Sequence, residues 1–227
     1  MSLGRSPTTR PVPRRYAEGV RAVAPLTVAV VAFGISFGVL ARSAGMDRLA
    51  TLVMSATTFA GSAQFAVASI LGGGGGLAAA VAAAVLLNLR YAPIGLSTVP
   101  ALVGSRWRRL LESQLVVDES WAIAQRDGGM DRHLLIGAGA TLWCTWLGGT
   151  AAGLLAGNLV GDPERLGLDA AFPALFLALV VPQLRTRSRL AAALAGAGLA
   201  VVLTPLTGPG VPVVAASLAC LAGVGRR

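Results

Sequence analysis

Long apolar runs, separated by short charged or glycine-rich segments, dominate the pattern of this chain. No charged side chain occurs over the 20 residues of 22–41, nor over the 41 residues of 49–89. A helix needs about 20 mostly apolar residues to cross the hydrocarbon layer of a bilayer. The pattern therefore predicts membrane-spanning helices and not the one-sided surface helices of a soluble domain.

Glycine and proline divide the longer runs. Five consecutive glycines at 72–76 cannot hold a helix against their loss of backbone entropy, so they predict a turn between two spans. The run 77–103 is longer than one span needs, and Pro93 and Pro100 each lack a backbone donor. A break is therefore expected just before Pro93. Further prolines and glycines predict that 190–225 is a hairpin of two short helices.

These runs predict an all-α fold: a polytopic integral membrane protein with about seven transmembrane helices, or six, some of them broken by Gly or Pro. Residues 22–225 would form a single transmembrane domain. The Arg- and Pro-rich tail 1–21 would be disordered, because it has little apolar surface to bury. The predicted spans are 22–41, 49–71, 77–103, 133–161, 170–184 and the hairpin in 190–225.

One long charged segment, residues 105–132, interrupts the apolar pattern. Trp107, Leu110 and Leu111 recur there at helical intervals among arginines and acidic residues. This spacing predicts an amphipathic helix that lies in the membrane interface.

Small residues form stripes on two of the predicted spans. Gly149, Gly153 and Gly157 follow one another at four-residue spacing, and Gly34 and Gly38 repeat that spacing in the first span. Such stripes permit close helix approach in lipid, either within the chain or against a partner subunit.

Composition agrees with a membrane protein. Hydrophobic residues make up 55% of the chain, and the formal net charge of +9 comes from arginines that cluster at the ends of apolar runs. This placement favours contact with the headgroups of a lipid bilayer, and no nucleic-acid partner is expected. Cys144, Cys220 and His133 show no metal-ligand spacing, so no metal site is expected. Membrane orientation stays open, because one miscounted span reverses every following loop.

The first candidate site lies in the middle of the 41-residue run. Phe59, Gly61, Ser62, Gln64 and Phe65 combine polar anchors, aromatic walls and a glycine that permits close approach. A substrate with a polar head and an apolar side chain requires such a set. The alternative is that the Ser and Gln side chains only bond neighbouring helices together.

The second candidate site is the predicted break at the end of the same run. Asn88, Arg90 and Tyr91 bring polar groups into apolar sequence, and the guanidinium could hold a carboxylate by two parallel hydrogen bonds. The alternative is an interfacial anchor at a helix end.

The third candidate is the adjacent pair Asp118 and Glu119, which lies between two apolar stretches. Mutual repulsion and partial burial would raise the pKa of one carboxyl, so the pair could couple transport to protons. The alternative is that the pair only anchors the amphipathic helix, by pairing with Arg106, Arg108 or Arg109.

The sequence holds no nucleophile elbow, nucleotide-binding loop or zinc motif. We therefore expect no catalytic residue and no cofactor, and any active transport must be driven by an ion gradient or by exchange. An intramembrane enzyme and a non-transporting scaffold subunit remain as alternatives to a transporter.

Several of these segments together resemble the AzlC family. The most specific element is FAGSAQF at 59–65, followed by Asn-Leu-Arg at 88–90. Tyr91 and Trp121 depart from the residues expected there, but both keep a bulky aromatic group. The similarity spans about residues 15–206, and its segments are 33–41, 54–65, 86–91, 95–97, 118–122 and 168–177 with Pro182.

The resemblance implies a function that the residues alone do not give. Members are identified as the large subunit of exporters of branched-chain amino acids in the bacterial inner membrane. They are implied to work with a small hydrophobic AzlD-like membrane subunit. An apolar amino acid is then the expected substrate, and the first two candidate sites are its expected binding residues.

Overall fold

The computed structural model describes residues 12–89, 91–126, 129–156 and 186–207, together with a few isolated positions after residue 156. The described chain is mostly helical, which confirms the predicted helical class. The helices are α1 (Val12–Ser43), α2 (Arg48–Thr58), α3 (Gly61–Gly72), α4 (Leu77–Asn88), α5 (Tyr91–Thr98), a 3₁₀ turn (Val99–Ala101), α6 (Arg106–Ser113), α7 (Asp118–Ala124), α8 (Arg132–Ala156) and α9 (Arg187–Leu203). Between α7 and α8, the strands β1 (Gln125–Arg126) and β2 (Gly129–Met130) form a short antiparallel hairpin.

Within the described residues, two helices are long and apolar enough to cross a bilayer: α1 from Arg15 onward, and α8. A third results if α4 and the segment from α5 through the 3₁₀ turn form one broken span. The predicted total of about seven is not confirmed. The predicted span 170–184 and the second half of the hairpin in 190–225 lie largely outside the described residues.

Two compact units divide the chain, and each has its own core. The first unit comprises 1–30 and 91–145, and the second comprises 31–90 and 146–227. The core of the first includes Leu102, Ala124, Leu134 and Leu135. In the second, α3 packs on α4 through Val67, Ile70, Ala80 and Ala83. The helices α1 and α8 each contribute residues to both units.

The first helix begins well before the predicted boundary at residue 22, so the prediction of a disordered tail is wrong from Val12 onward. Tertiary packing explains the extension. The ring of Tyr16 meets that of His133 edge-on with 5.0 Å between centroids. A Cβ built on Gly19 would lie 2.9 Å from the backbone nitrogen of Ala138. The early turns of α1 therefore lie close against the start of α8, and this packing compensates for the entropy of ordering them.

The segment 49–71, predicted as one span, is two short helices. The chain breaks after α2 because Phe59 adopts a left-handed conformation with φ of 38°, and Ala60 is extended. A left-handed Phe costs about 1–2 kcal/mol, so burial must maintain it. Both residues are buried. The following helix, α3, has 12 residues and is too short to cross a bilayer by itself.

The amphipathic helix predicted over 105–132 is also shorter than expected. Only α6 has that character, with Trp107, Leu110 and Leu111 exposed along it. The helix ends at Ser113, and a second helix, α7, starts after Val117, whose backbone N–H donates to the Ser120 hydroxyl. The spacing of apolar residues did not reveal the interruption between α6 and α7. The side chain of Ser120 stabilises it by accepting from the backbone N–H of Val117, and this contact leaves no mark on the apolar pattern.

The predicted close approach of small residues is present inside the second unit. A Cβ on Gly34 would lie 3.1 Å from the Cα of Gly149, and one on Gly38 would lie 2.8 Å from the backbone nitrogen of Leu154. Gly149 and Gly153 therefore bring α8 against α1 within this chain, while Gly157 lies outside the described residues.

Candidate functional site

A chain of buried hydrogen bonds joins three helices in the second unit. The Nε2 of Gln64 on α3 donates to the Oγ of Ser55 on α2 at 2.8 Å. That oxygen lies 3.0 Å from the Oγ1 of Thr150 on α8. Thr150 in turn donates to the backbone oxygen of Trp146, also at 3.0 Å. All three polar side chains have zero exposed surface. We call Gln64, Ser55 and Thr150 the polar relay.

The direction of the polar relay follows from counting protons. The hydroxyl of Thr150 has one proton, which goes to the Trp146 carbonyl, so Thr150 must accept from Ser55. Ser55 then has no proton left for Gln64 and must accept from the amide nitrogen. The amide oxygen of Gln64 therefore points elsewhere, and it is buried without a hydrogen-bond partner among the described residues. Burying such an acceptor unpaired costs about 1–3 kcal/mol.

Aromatic rings surround the same region. The rings of Phe37 and Phe65 lie 5.7 Å apart, and each lies 6.2 Å from the ring of Trp146. The indole also packs on Gly61, where a built Cβ would lie 3.0 Å from Cη2. The indole N–H of Trp146 is buried and has no hydrogen-bond partner in the part of the chain that the structure describes. The aromatic cluster, Phe37, Phe65 and Trp146, thus contains a buried donor, and Gln64, the chain neighbour of Phe65, holds a buried acceptor.

The break before α3 places these groups at a helix start. Gly61 is the first residue of α3, and the backbone N–H of Gln64 is the first to reach a carbonyl of the preceding turn, that of Ala60. The N-terminus of a helix carries a partial positive charge. Ser62 is half-buried in this first turn. The structure therefore brings Gly61, Gln64 and Phe65 of the predicted site together, while Phe59 forms the break itself.

The second predicted site is only partly described. Asn88 ends α4, and its side-chain oxygen is buried without a hydrogen-bond partner among the residues described. Tyr91 begins α5 and is half-buried. The predicted helix break between them is present, but Arg90 lies outside the described residues.

The predicted carboxylate pair lies in the first turn of α7. Asp118 is half-buried and Glu119 is exposed, so the two side chains differ in environment. A nearby contact ties this helix to α5, since the indole N–H of Trp121 donates to the Ser97 hydroxyl at 2.8 Å.

An ion cluster in the first unit was not predicted. Glu112 is bound by the guanidinium of Arg132 through both carboxylate oxygens and by Nε of Arg108 at 3.0 Å. Burial by itself would raise the pKa of Glu112, but the hydrogen bonds and charges of Arg132 and Arg108 outweigh burial and hold this pKa below its usual value. Arg108 therefore pairs with Glu112, although it was considered as a partner for Asp118 and Glu119.

Sequence reasoning also missed Ser55, Thr150, Trp146 and Phe37. Ser55 and Thr150 are hydroxyl residues inside apolar helices, where Ser and Thr commonly bond to their own backbone, so they gave no distinct signal. Trp146 was one apolar residue among many. Within the described residues, no group of three or more His, Cys, Asp or Glu side chains could hold a metal.

Comparison with known proteins identifies the family. Residues 25–160, more than half of the chain, match the AzlC protein family. This chain belongs to the AzlC family. It is a membrane protein, and the family relationship supports a role in membrane transport.

Relatives of this AzlC protein share most of its length. It is 31% identical to an uncharacterized membrane protein of Archaeoglobus fulgidus over 90% of this chain and 91% of that one. It is 28% identical to the branched-chain amino acid transport protein AzlC of Bacillus subtilis, over 88% and 82%. It is 27% identical to the inner membrane protein YgaZ of Escherichia coli, over 85% and 84%. No solved structure matches this chain.

Proposed function

We propose that this AzlC protein is the large subunit of a secondary transporter that exports branched-chain and other apolar amino acids across the bacterial inner membrane. The name of the Bacillus subtilis relative supports the substrate class, and the name of YgaZ supports the membrane. The single observation that carries the proposal is the buried amide of Gln64, whose oxygen has no hydrogen-bond partner among the described residues. A merely structural glutamine would be expected to satisfy both ends of its amide.

The arrangement suits a zwitterion with an apolar side chain. The rings of Phe37 and Phe65 offer an apolar wall, and the indole of Trp146, which packs against both, carries a buried N–H without a partner among the described residues. Broken helices near the middle of the membrane are where secondary transporters commonly bind substrate. Discrimination among apolar side chains would be weak, because one methylene is worth only about 1–3 kcal/mol.

The proposed transporter works with a small hydrophobic AzlD-like subunit. Gly149 and Gly153 already pack against α1, so the partner would bind a different surface. The exposed apolar face of α4, which includes Leu77, Val81 and Val85, is free to meet lipid or a partner.

Efflux from proteoliposomes tests the function. Vesicles containing the protein with its partner subunit are loaded with labelled leucine, and release is measured with and without an imposed proton gradient. Vesicles with the wild-type protein should release leucine faster than vesicles without protein. A scaffold or an enzyme would not increase the rate of release. Gln64→Leu should lose most efflux. Ser69→Leu, an exposed position on the same helix, is the matched control and should retain it.

Two outcomes would contradict the proposal. Wild-type protein that releases no apolar amino acid under either condition would refute transport of this class. Wild-type efflux in a folded Gln64→Leu variant would remove Gln64 from the pathway. Arg90 is tested in parallel: Arg90→Leu should abolish efflux, and Arg90→Lys should rescue poorly, because a point charge does not reproduce a planar fork.

A further inference from the structure

Two buried polar groups near the aromatic cluster have opposite character. The oxygen of Gln64 accepts hydrogen bonds only, and the indole N–H of Trp146 donates only. Both are buried, and neither has a hydrogen-bond partner among the residues that the structure describes. The residues are 0% and 7% exposed, so solvent does not satisfy either group. A buried donor and a buried acceptor that both lack a partner are together complementary to a ligand that carries both kinds of group.

A free amino acid is such a ligand. Its ammonium group donates and its carboxylate accepts, and the two are attached to the same carbon. We infer that Gln64 Oε1 receives the ammonium and Trp146 Nε1–H donates to the carboxylate. The inference rests on the proposed function and assigns its two polar contacts.

The local geometry fixes the position of the indole. The six-membered ring of Trp146 packs against Gly61, the first residue of α3, through Cη2, Cζ3 and Cζ2, so the N–H belongs to the part of the indole that lies away from this contact. Gln64 lies three residues further along, with its amide fixed by the polar relay so that the oxygen and not the nitrogen is available.

Neutral groups have a physical advantage at this depth. An Arg or Asp in the empty site would leave a buried charge without a partner, which costs far more than an unpaired amide or indole. A neutral donor and acceptor can still bind the charged ends of a zwitterion through charge-assisted hydrogen bonds. The site can therefore exist empty, bind its substrate and return to the empty state without an unpaired charge.

The assignment is tested with ligands that each lack one charged end. Purified protein with its partner subunit binds labelled leucine, and three unlabelled ligands compete: leucine, 3-methylbutan-1-amine, which lacks the carboxylate, and 4-methylpentanoate, which lacks the ammonium. Each analogue should bind the wild type about 10- to 100-fold more weakly than leucine, the range expected for one lost hydrogen bond to a charged group.

The variants separate the two contacts. Trp146→Phe should weaken leucine binding about 10-fold or more and leave binding of 3-methylbutan-1-amine as in the wild type, because this amine has no acceptor that could lose a hydrogen bond to the indole. Gln64→Met should weaken leucine similarly and leave 4-methylpentanoate unchanged. Trp143→Phe is the same substitution one turn away on α8, and it should leave the binding of all three ligands unchanged.

Melting temperatures identify variants that fail to fold. If Trp146→Phe does not fold, replacing Trp146 by 3-benzothienylalanine removes the N–H while keeping the shape. Uniform weakening of all three ligands in folded variants would overturn the inference and leave both residues structural. The reversed pattern would overturn the polarity. Failure of the wild type to bind or export leucine would refute the proposed function itself, which is a separate result.

Discussion

The close packing of α1 against α8 makes a sharp prediction about two adjacent glycines. Gly148 and Gly149 are neighbours on α8, but their surroundings differ. A Cβ on Gly149 would lie 2.7 Å from the carbonyl oxygen of Val31 and 3.1 Å from the Cα of Gly34. A Cβ on Gly148 would meet no atom of the described residues within 4 Å. Gly149→Ala and Gly148→Ala are therefore the same chemical change with and without a steric conflict.

The magnitude follows from these distances. A Cβ atom essentially never lies closer than 3.0 Å to a heavy atom of another, non-adjacent residue. The Val31 carbonyl oxygen would be at 2.7 Å, so the backbone there must move by at least 0.3 Å. The obstacle is backbone and cannot rotate away, and overpacking of this kind costs about 1–3 kcal/mol. Both substitutions gain up to about 1 kcal/mol from helix propensity, and this gain cancels in the comparison.

Thermal unfolding in detergent measures the difference. Gly149→Ala should melt below Gly148→Ala by about 2–4 °C for each kcal/mol of destabilisation, as for domains of similar size. Because Thr150 and Trp146 lie beside Gly149 on α8, the variant should also lose efflux, whereas Gly148→Ala should not. Equal melting temperatures and equal efflux in the two variants would refute the close approach of the helices.

Three further predictions concern polar groups. Thr150→Val should lower efflux, because it removes the end of the polar relay that orients Gln64, whereas Thr150→Ser should keep efflux at the wild-type rate. Wild-type efflux in Thr150→Val would show that the polar relay has no role in transport. Glu112→Gln should destabilise the protein by about 1–3 kcal/mol at pH 7, because it removes the negative charge that pairs with Arg132 and Arg108. Folding lowers the pKa of Glu112, so the stabilisation by its charge is complete above the unfolded pKa and is lost as pH falls through the folded pKa. The stabilities of the variant and the wild type should therefore converge in acid, which unfolding at graded pH will check. Asp118→Asn or Glu119→Gln should lose gradient-driven efflux yet keep substrate exchange, and accumulation against a gradient with an unchanged pH profile would exclude proton coupling through this pair.

Local pattern was sufficient for several features of this protein. Run length and the absence of charge predicted α1 and α8, because lipid imposes a length that one segment must meet by itself. Glycine and proline content predicted the turn after α3 and the break before α5, since both act through the local backbone. The polarity of Gln64 within an apolar run was enough to mark it as a candidate site.

Tertiary structure alone decided the remaining features. The break at Phe59 has no Pro and is not at a Gly, so only its buried surroundings hold that left-handed residue. The polar relay joins Ser55 to Thr150 across 95 positions, and no local pattern records which distant hydroxyl will be in reach. Gln64 Oε1 and the Trp146 indole N–H lack a partner among the described residues because no neighbouring side chain there places a hydrogen-bonding group in reach. Sequence thus fixes which residues can enter the membrane, whereas packing determines which of their polar groups remain available to a substrate.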